Sequence, residues 1–160
     1  MHLEGSCHCG AVRFSCDSPH PVPYQRCYCS ICRKTAGSGG YAINIMGRAE
    51  TLEIEGAENL STYQAKMEDG VSQAERRFCR LCGSHLWLFD SRWPELIHPQ
   101  ASAIDTELPK PPQKTHIMLG SKPGWIVPDI GPNDKTFDGY PDESIADWHH
   151  RTGTAEESEN

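Results

Sequence analysis

The chain has no apolar run near the ~20 residues that a membrane-spanning helix needs, and no basic segment followed by an apolar stretch opens it. The expectation is a cytoplasmic chain with no membrane partner. Positive charge is also scarce: 15 Lys and Arg face 22 Asp and Glu, a net charge of −7. Nucleic acids are therefore not expected as partners, since nonspecific binding to them needs a basic surface. Aromatic residues are few (8%), hydrophobic residues make up only 37%, and no segment shows long helical periodicity or a fixed repeat. With 14 glycines and 12 prolines, this balance predicts short strands and many turns, a mainly β fold with little helix. At 160 residues it reads as one domain over 1–151, with a Glu/Ser/Thr-rich tail over 152–160 expected to be disordered.

Cysteine is not scarce. Seven of the eight cysteines fall into three clusters, Cys7-His8-Cys9-Gly10, Cys27-Tyr28-Cys29-Ser30-Ile31-Cys32 and Cys79-Arg80-Leu81-Cys82-Gly83. In a chain without an export signal, such clusters favour thiolate–metal ligation over disulfides. A closed structural zinc site takes four ligands, whereas a site with three protein ligands keeps one position for water or substrate. The partition adopted joins Cys7 and Cys9 to Cys79 and Cys82 and leaves Cys27, Cys29 and Cys32 for a second metal. Joining the triplet to one of the pairs is not excluded by spacing alone. Gly10 and Gly83 stand where a left-handed backbone would help each turn.

The triplet admits three readings: an open zinc site, a closed one with its fourth ligand among Cys16, His8, His85, His98 or His116, or a redox dithiol at Cys29 and Cys32. The open site is preferred. Cys16 shares a strand face with Val12 and Phe14 and reads as a buried, inert thiol. Basic residues flank the clusters at Arg26, Arg33, Lys34, Arg76, Arg77 and Arg80. They offset thiolate charge, and Arg33 and Lys34 beside the triplet are candidate contacts for substrate carboxylates. Strands are expected over Tyr24–Cys29, Tyr41–Ile45, Thr51–Glu55, Leu60–Gln64, His85–Phe89 and Thr115–Leu119. A tight turn or a single helical turn is expected over Ser30–Thr35, an exposed loop over residues 66–75, and a solvated C-terminal segment at His149-His150.

The motifs Gly5-Ser6-Cys7-His8-Cys9-Gly10, Cys27-Tyr28-Cys29-Ser30-Ile31-Cys32-Arg33-Lys34 and Phe78-Cys79-Arg80-Leu81-Cys82-Gly83 closely resemble the glutathione-dependent formaldehyde-activating enzyme family, which includes the centromere protein V type. His116, Gly120-Ser121-Lys122 and Phe137–Ser144 extend the resemblance over roughly residues 4–148. The resemblance implies a β-tent fold of small antiparallel sheets braced by zinc. It implies a structural zinc on Cys7, Cys9, Cys79 and Cys82 and a catalytic zinc on Cys27, Cys29 and Cys32. It also implies a carbon–sulfur lyase that joins glutathione and formaldehyde. The alternative from another class is a non-catalytic zinc module that binds a thiol or a protein partner. Oligomeric state is not legible.

Overall fold

The computed structural model describes residues 1–154. In chain order the first half contains His2–Ser6 (β1), Arg13–Asp17 (β2), Tyr24–Cys27 (β3), Ser30–Ala36 (α1), Ala42–Asn44 (β4), Gly47–Arg48 (β5), Glu53–Glu55 (β6) and Leu60–Met67 (β7). Then follow Gly70–Cys79 (β8), His85–Asp90 (β9), Leu96–Pro99 (β10), Lys114–Ile117 (β11), Lys135–Thr136 (β12) and Ile145–Thr152 (α2). The architecture is mainly β, as expected, with two α-helices among the described residues. No described helix is long and apolar enough to cross a membrane.

Three small sheets result, with strand orders β1-β2-β6, β5-β10-β9-β8-β7 and β12-β11-β3-β4. The first two are antiparallel throughout. The third departs from the antiparallel expectation, because β11 runs parallel to both β3 and β12. Parallel neighbours need a long crossover, and the whole second sheet lies in the chain between β3 and β11.

Alternation in β1 and β2 turns Leu3, Phe14 and Cys16 inward. There they meet Leu86, Trp87 and Ile97 of the second sheet, and the Phe14 and Trp87 rings lie 5.1 Å apart. Trp148 of α2 closes the same core and donates from Nε1 to Gln113 Oε1 at 3.1 Å. Val12 and Cys16 are fully buried, as the shared strand face predicts. Burial pushes the Cys16 thiol up to about 11.

Several expectations are corrected. The stretch 66–75 is not a loop but the tip and arms of the β7–β8 hairpin, which turns at Glu68-Asp69 just before Gly70, whose φ is 126°. Its polarity reflects exposure rather than irregular backbone. The residues of β6 are all exposed, although their alternation suggested a half-buried strand. At Ser30–Thr35 the helical alternative holds, lengthened to the seven residues Ser30–Ala36. His149 is buried in α2 and bonds the Val22 carbonyl, not solvated. That helix runs through Thr152 and is capped by Gly153; residues 155–160, the remainder of the expected tail, lie outside the described residues.

Candidate metal centres

The first and third cysteine clusters are the tips of two hairpins. Cys7 and Cys9 occupy the β1–β2 turn, while Cys79 closes β8 and Cys82 precedes β9. Both turns are built alike. Gly10 N–H donates to Cys7 O at 2.9 Å and Gly83 N–H to Cys79 O at 2.8 Å. Gly10 has φ 75° and Gly83 φ 77°, a conformation that disfavours other residues. Because the two hairpins belong to the first and second sheets, the four sulfurs meet where those sheets abut, all within 4.8 Å of one another.

These distances suit a tetrahedral cation. Zn–S bonds of about 2.3 Å place the corners of a tetrahedron about 3.8 Å apart. Cys7 Sγ and Cys9 Sγ are 3.5 Å apart, and Cys9 Sγ and Cys79 Sγ 3.8 Å. All eight cysteines are free thiols. The Val12 N–H donates to Cys7 Sγ at 3.2 Å. The Ser84 hydroxyl and N–H draw the Cys82 thiol down to about 5. At Cys9 the Ala11 N–H favours the thiolate, but the sulfurs around it, Cys7 first, push the thiol up to about 12. Such crowded sulfurs cannot all ionise without a cation, so the donor set fits a metal.

The second cluster belongs to the third sheet. Cys27 ends β3, Cys29 is the N-cap of α1, and Cys32 lies in the first turn of that helix. Their sulfurs also lie within 4.8 Å of one another, and no fourth His, Cys, Asp or Glu joins them among the described residues. Of the fourth-ligand candidates, Cys16 is in the core. His85 points Nε2 at the Trp87 carbonyl, and His116 is held by Tyr28 and Asp134. The Cys32 N–H donates to Cys29 Sγ at 3.3 Å. Cys29 is strongly favoured as the thiolate by the Cys27 and Cys32 side chains and by the N–H groups at the start of α1. Cys27 is driven the opposite way by Cys29 and Cys32 and by burial. Again the three crowded thiols cannot all shed their protons, because adjacent thiolates repel, and a bound cation would remove that penalty. Met118 and Phe137 pack beside this cluster, and Met118 holds φ 59°, rare for a side chain-bearing residue.

Beneath the triplet lies a chain the sequence did not reveal. Tyr28, fully buried between Cys27 and Cys29, is linked through its hydroxyl to His116 Nδ1 at 3.0 Å. His116 Nε2 is 3.4 Å from Asp134 Oδ2. Burial opposes ionisation of Asp134, but the Gly131 and Lys114 N–H groups and the Lys114 ammonium overcome it and hold the carboxyl down to about 2. No short-range signal ties Asp134 to residue 28.

Arg33 and Lys34 occupy the last turn of α1. They line a cavity of about 700 Å³ whose other walls include Cys7, His8, Gly83, His85 and Asp105. The cavity thus runs from α1 toward the four-cysteine centre, and Cys27, Cys29 and Cys32 are not in its lining.

The family model of the glutathione-dependent formaldehyde-activating enzyme matches residues 2–121, a span holding all seven clustered cysteines. The chain belongs to this family. A curated protein of Halomonas elongata, described as "Putative glutathione-dependent formaldehyde-activating enzyme", is 61% identical over 156 residues, covering 98% of this chain and 99% of its own. The crystal structure of a Rhodobacter sphaeroides protein matches with TM-score 0.51 and 31% identity, over 66% of this chain and 91% of that one.

Proposed function

We propose that this member of the formaldehyde-activating family is a zinc-dependent carbon–sulfur lyase acting on adducts of a small thiol with an aldehyde. Glutathione and formaldehyde are the pair that the family's name supplies. In the synthetic direction the thiol sulfur attacks the carbonyl carbon, a C–S bond forms, and the thiol proton ends on the new hydroxyl. The observation that carries the reading is the three-sulfur cluster, with Cys27, Cys29 and Cys32 close enough to share one ion and no fourth protein ligand among the described residues.

Those three residues would hold one zinc, and Cys7, Cys9, Cys79 and Cys82 a second, structural one. When bound by three thiolates, zinc supplies an open position at which a thiol loses its proton. Arg33 and Lys34 are assigned to the thiol's carboxylates, Lys34 being exposed and Arg33 half-buried at the cavity. The link from Tyr28 to His116 and Asp134 holds the Cys27–Cys29 turn in place. Eight reduced cysteines suit a reducing compartment, and we place the protein in the cytoplasm. We further propose that the zinc-binding unit spans residues 1–151.

The test is Cys29→Ala, with zinc counted and the exchange of formaldehyde with glutathione followed by NMR against the uncatalysed rate. Zinc is expected to fall from two per chain to one and the catalysed exchange to vanish. A variant that keeps both would overturn the assignment. Two chelator-resistant zincs with no exchange above background in the wild type would favour the non-catalytic module.

A further inference from the structure

Three polar side chains lie buried in a row behind the Cys27–Cys29 turn, where apolar ones would avoid the cost of desolvation. Tyr28 and His116 are wholly buried, and the Asp134 side chain is 6% exposed. Each fixes the next. Asp134 Oδ1 accepts from the Lys114 N–H at 2.8 Å, and Oδ2 accepts from the Gly131 N–H at 2.7 Å with the Lys114 ammonium at 3.3 Å. A carboxylate held by so many donors can only accept, so the proton between it and His116 sits on Nε2. Burial disfavours the charged ring, which leaves a lone pair on Nδ1, and the Tyr28 hydroxyl 3.0 Å away donates to it. The direction of the whole chain, from Tyr28 through His116 to Asp134, is thus set at its far end.

At the near end stands a residue with little freedom. Tyr28 is the single residue between two sulfur donors of one cluster. Its N–H donates to the Ile117 carbonyl at 3.0 Å, one residue beyond His116 in β11. Its ring packs against those of Tyr41 and His116, with centroids 5.4 and 5.8 Å away. Ile117, Met118 and Phe137 pack in one cluster with Cys27 and Cys32. Phenylalanine at position 28 would keep this packing and the pairing of β3 with β11. It would lose only the link to Asp134, so the hydroxyl serves that link alone.

We propose that Asp134 is a positioning residue of the three-cysteine centre, acting through His116 and Tyr28 to hold the Cys27 and Cys29 sulfurs at the spacing a metal needs. This deepens the reading of that centre as a metal site and rests on it. Such coupling is reciprocal, so a metal at the centre in turn tightens the Gly131–Asp134 turn.

The experiment titrates the zinc-loaded protein with a chromophoric chelator, with Cys29→Ala as the reference for the four-cysteine metal. In Tyr28→Phe and in Asp134→Asn the affinity of the second zinc is expected to fall about tenfold, about 1.4 kcal/mol, while that of the first stays the same. The double variant is expected to lose no more than the larger single loss, because both changes cut one chain. In the wild type, binding of the second zinc is expected to slow hydrogen exchange at the Lys114 and Gly131 amides, a response that a purely structural link would not give. Losses that add, losses shared equally by both metals, or no loss overturn the inference and leave two zincs per chain standing. A wild type that holds one zinc per chain overturns the reading of the centre and the inference with it. Should Asp134→Asn fail to fold, Tyr28→Phe and the wild-type amide exchange decide the matter.

Discussion

Removing the metal from the four-cysteine centre is expected to unfold the protein. Cys7 and Cys79 are buried and Cys9 and Cys82 exposed, so the site lies at the rim of the contact between the first two sheets. The first sheet has only three strands, and its outer strand β6 is exposed along its length. A sheet that small is marginal unless it packs on something else. Structural zinc in small peptides contributes about 10–16 kcal/mol, whereas a whole domain has a net stability of about 5–15 kcal/mol. The stripped chain is therefore expected to sit at or below the folding threshold. The Cys29→Ala variant isolates the effect, since it should carry only the structural metal. Chelation of that variant should abolish near-ultraviolet dichroism from Trp87 and Trp148, both 2% exposed, and red-shift their fluorescence. Trp125, already 69% exposed, should contribute little change. A stripped protein melting within about 4 °C of the loaded one would limit the metal's contribution to about 1–2 kcal/mol and refute the reasoning.

Cys16 should resist alkylation at pH 8 in the folded, loaded protein, with all eight thiols reacting only after denaturation with a chelator. Folding favours its protonated form, so this contribution to stability is whole below about pH 9 and is lost as pH rises through about 11; Cys16→Ala should flatten that alkaline limb in urea titrations. Gly10 and Gly56 share φ 75°, but an added Cβ meets nothing at Gly10 and would lie 1.9 Å from the Ala11 carbonyl oxygen at Gly56. Gly10→Ala should cost about 1–2 kcal/mol from backbone strain, and Gly56→Ala more than that, as measured by thermal melts. Ser144→Ala removes the capping box of α2 and should cost about 1 kcal/mol, loosening Trp148 and shifting its fluorescence.

The cysteines were legible because their spacing is local. Each cluster is a single turn, and a turn's chemistry is written in adjacent residues. That β1–β2 meets β8–β9 followed from ligand arithmetic, not from strand pattern. Helix α2 escaped notice because its eight residues mix Trp, His, Asp and Arg, although Ser144 and Asp147 at capping-box spacing were the available signal. The hairpin through residues 66–75 was obscured because its side chains, solvated on most of both faces, carry no apolar alternation. The pairing of β3 with β11 joins Tyr24 to Lys114. Contacts between such distant segments leave no trace in local composition, and the same holds for Tyr28, His116 and Asp134.

The four-cysteine centre also fixes an order of events during synthesis. Cys7 and Cys9 are made early, but their partners stand at 79 and 82. Until the tip of the β8–β9 hairpin has left the ribosome, the first pair has no closed site to enter. The nascent chain thus carries five earlier clustered thiols, at 7, 9, 27, 29 and 32, before the first ring of ligands can close. Through that interval the Cys7–Cys9 pair is expected to be open to oxidation and to the wrong metal.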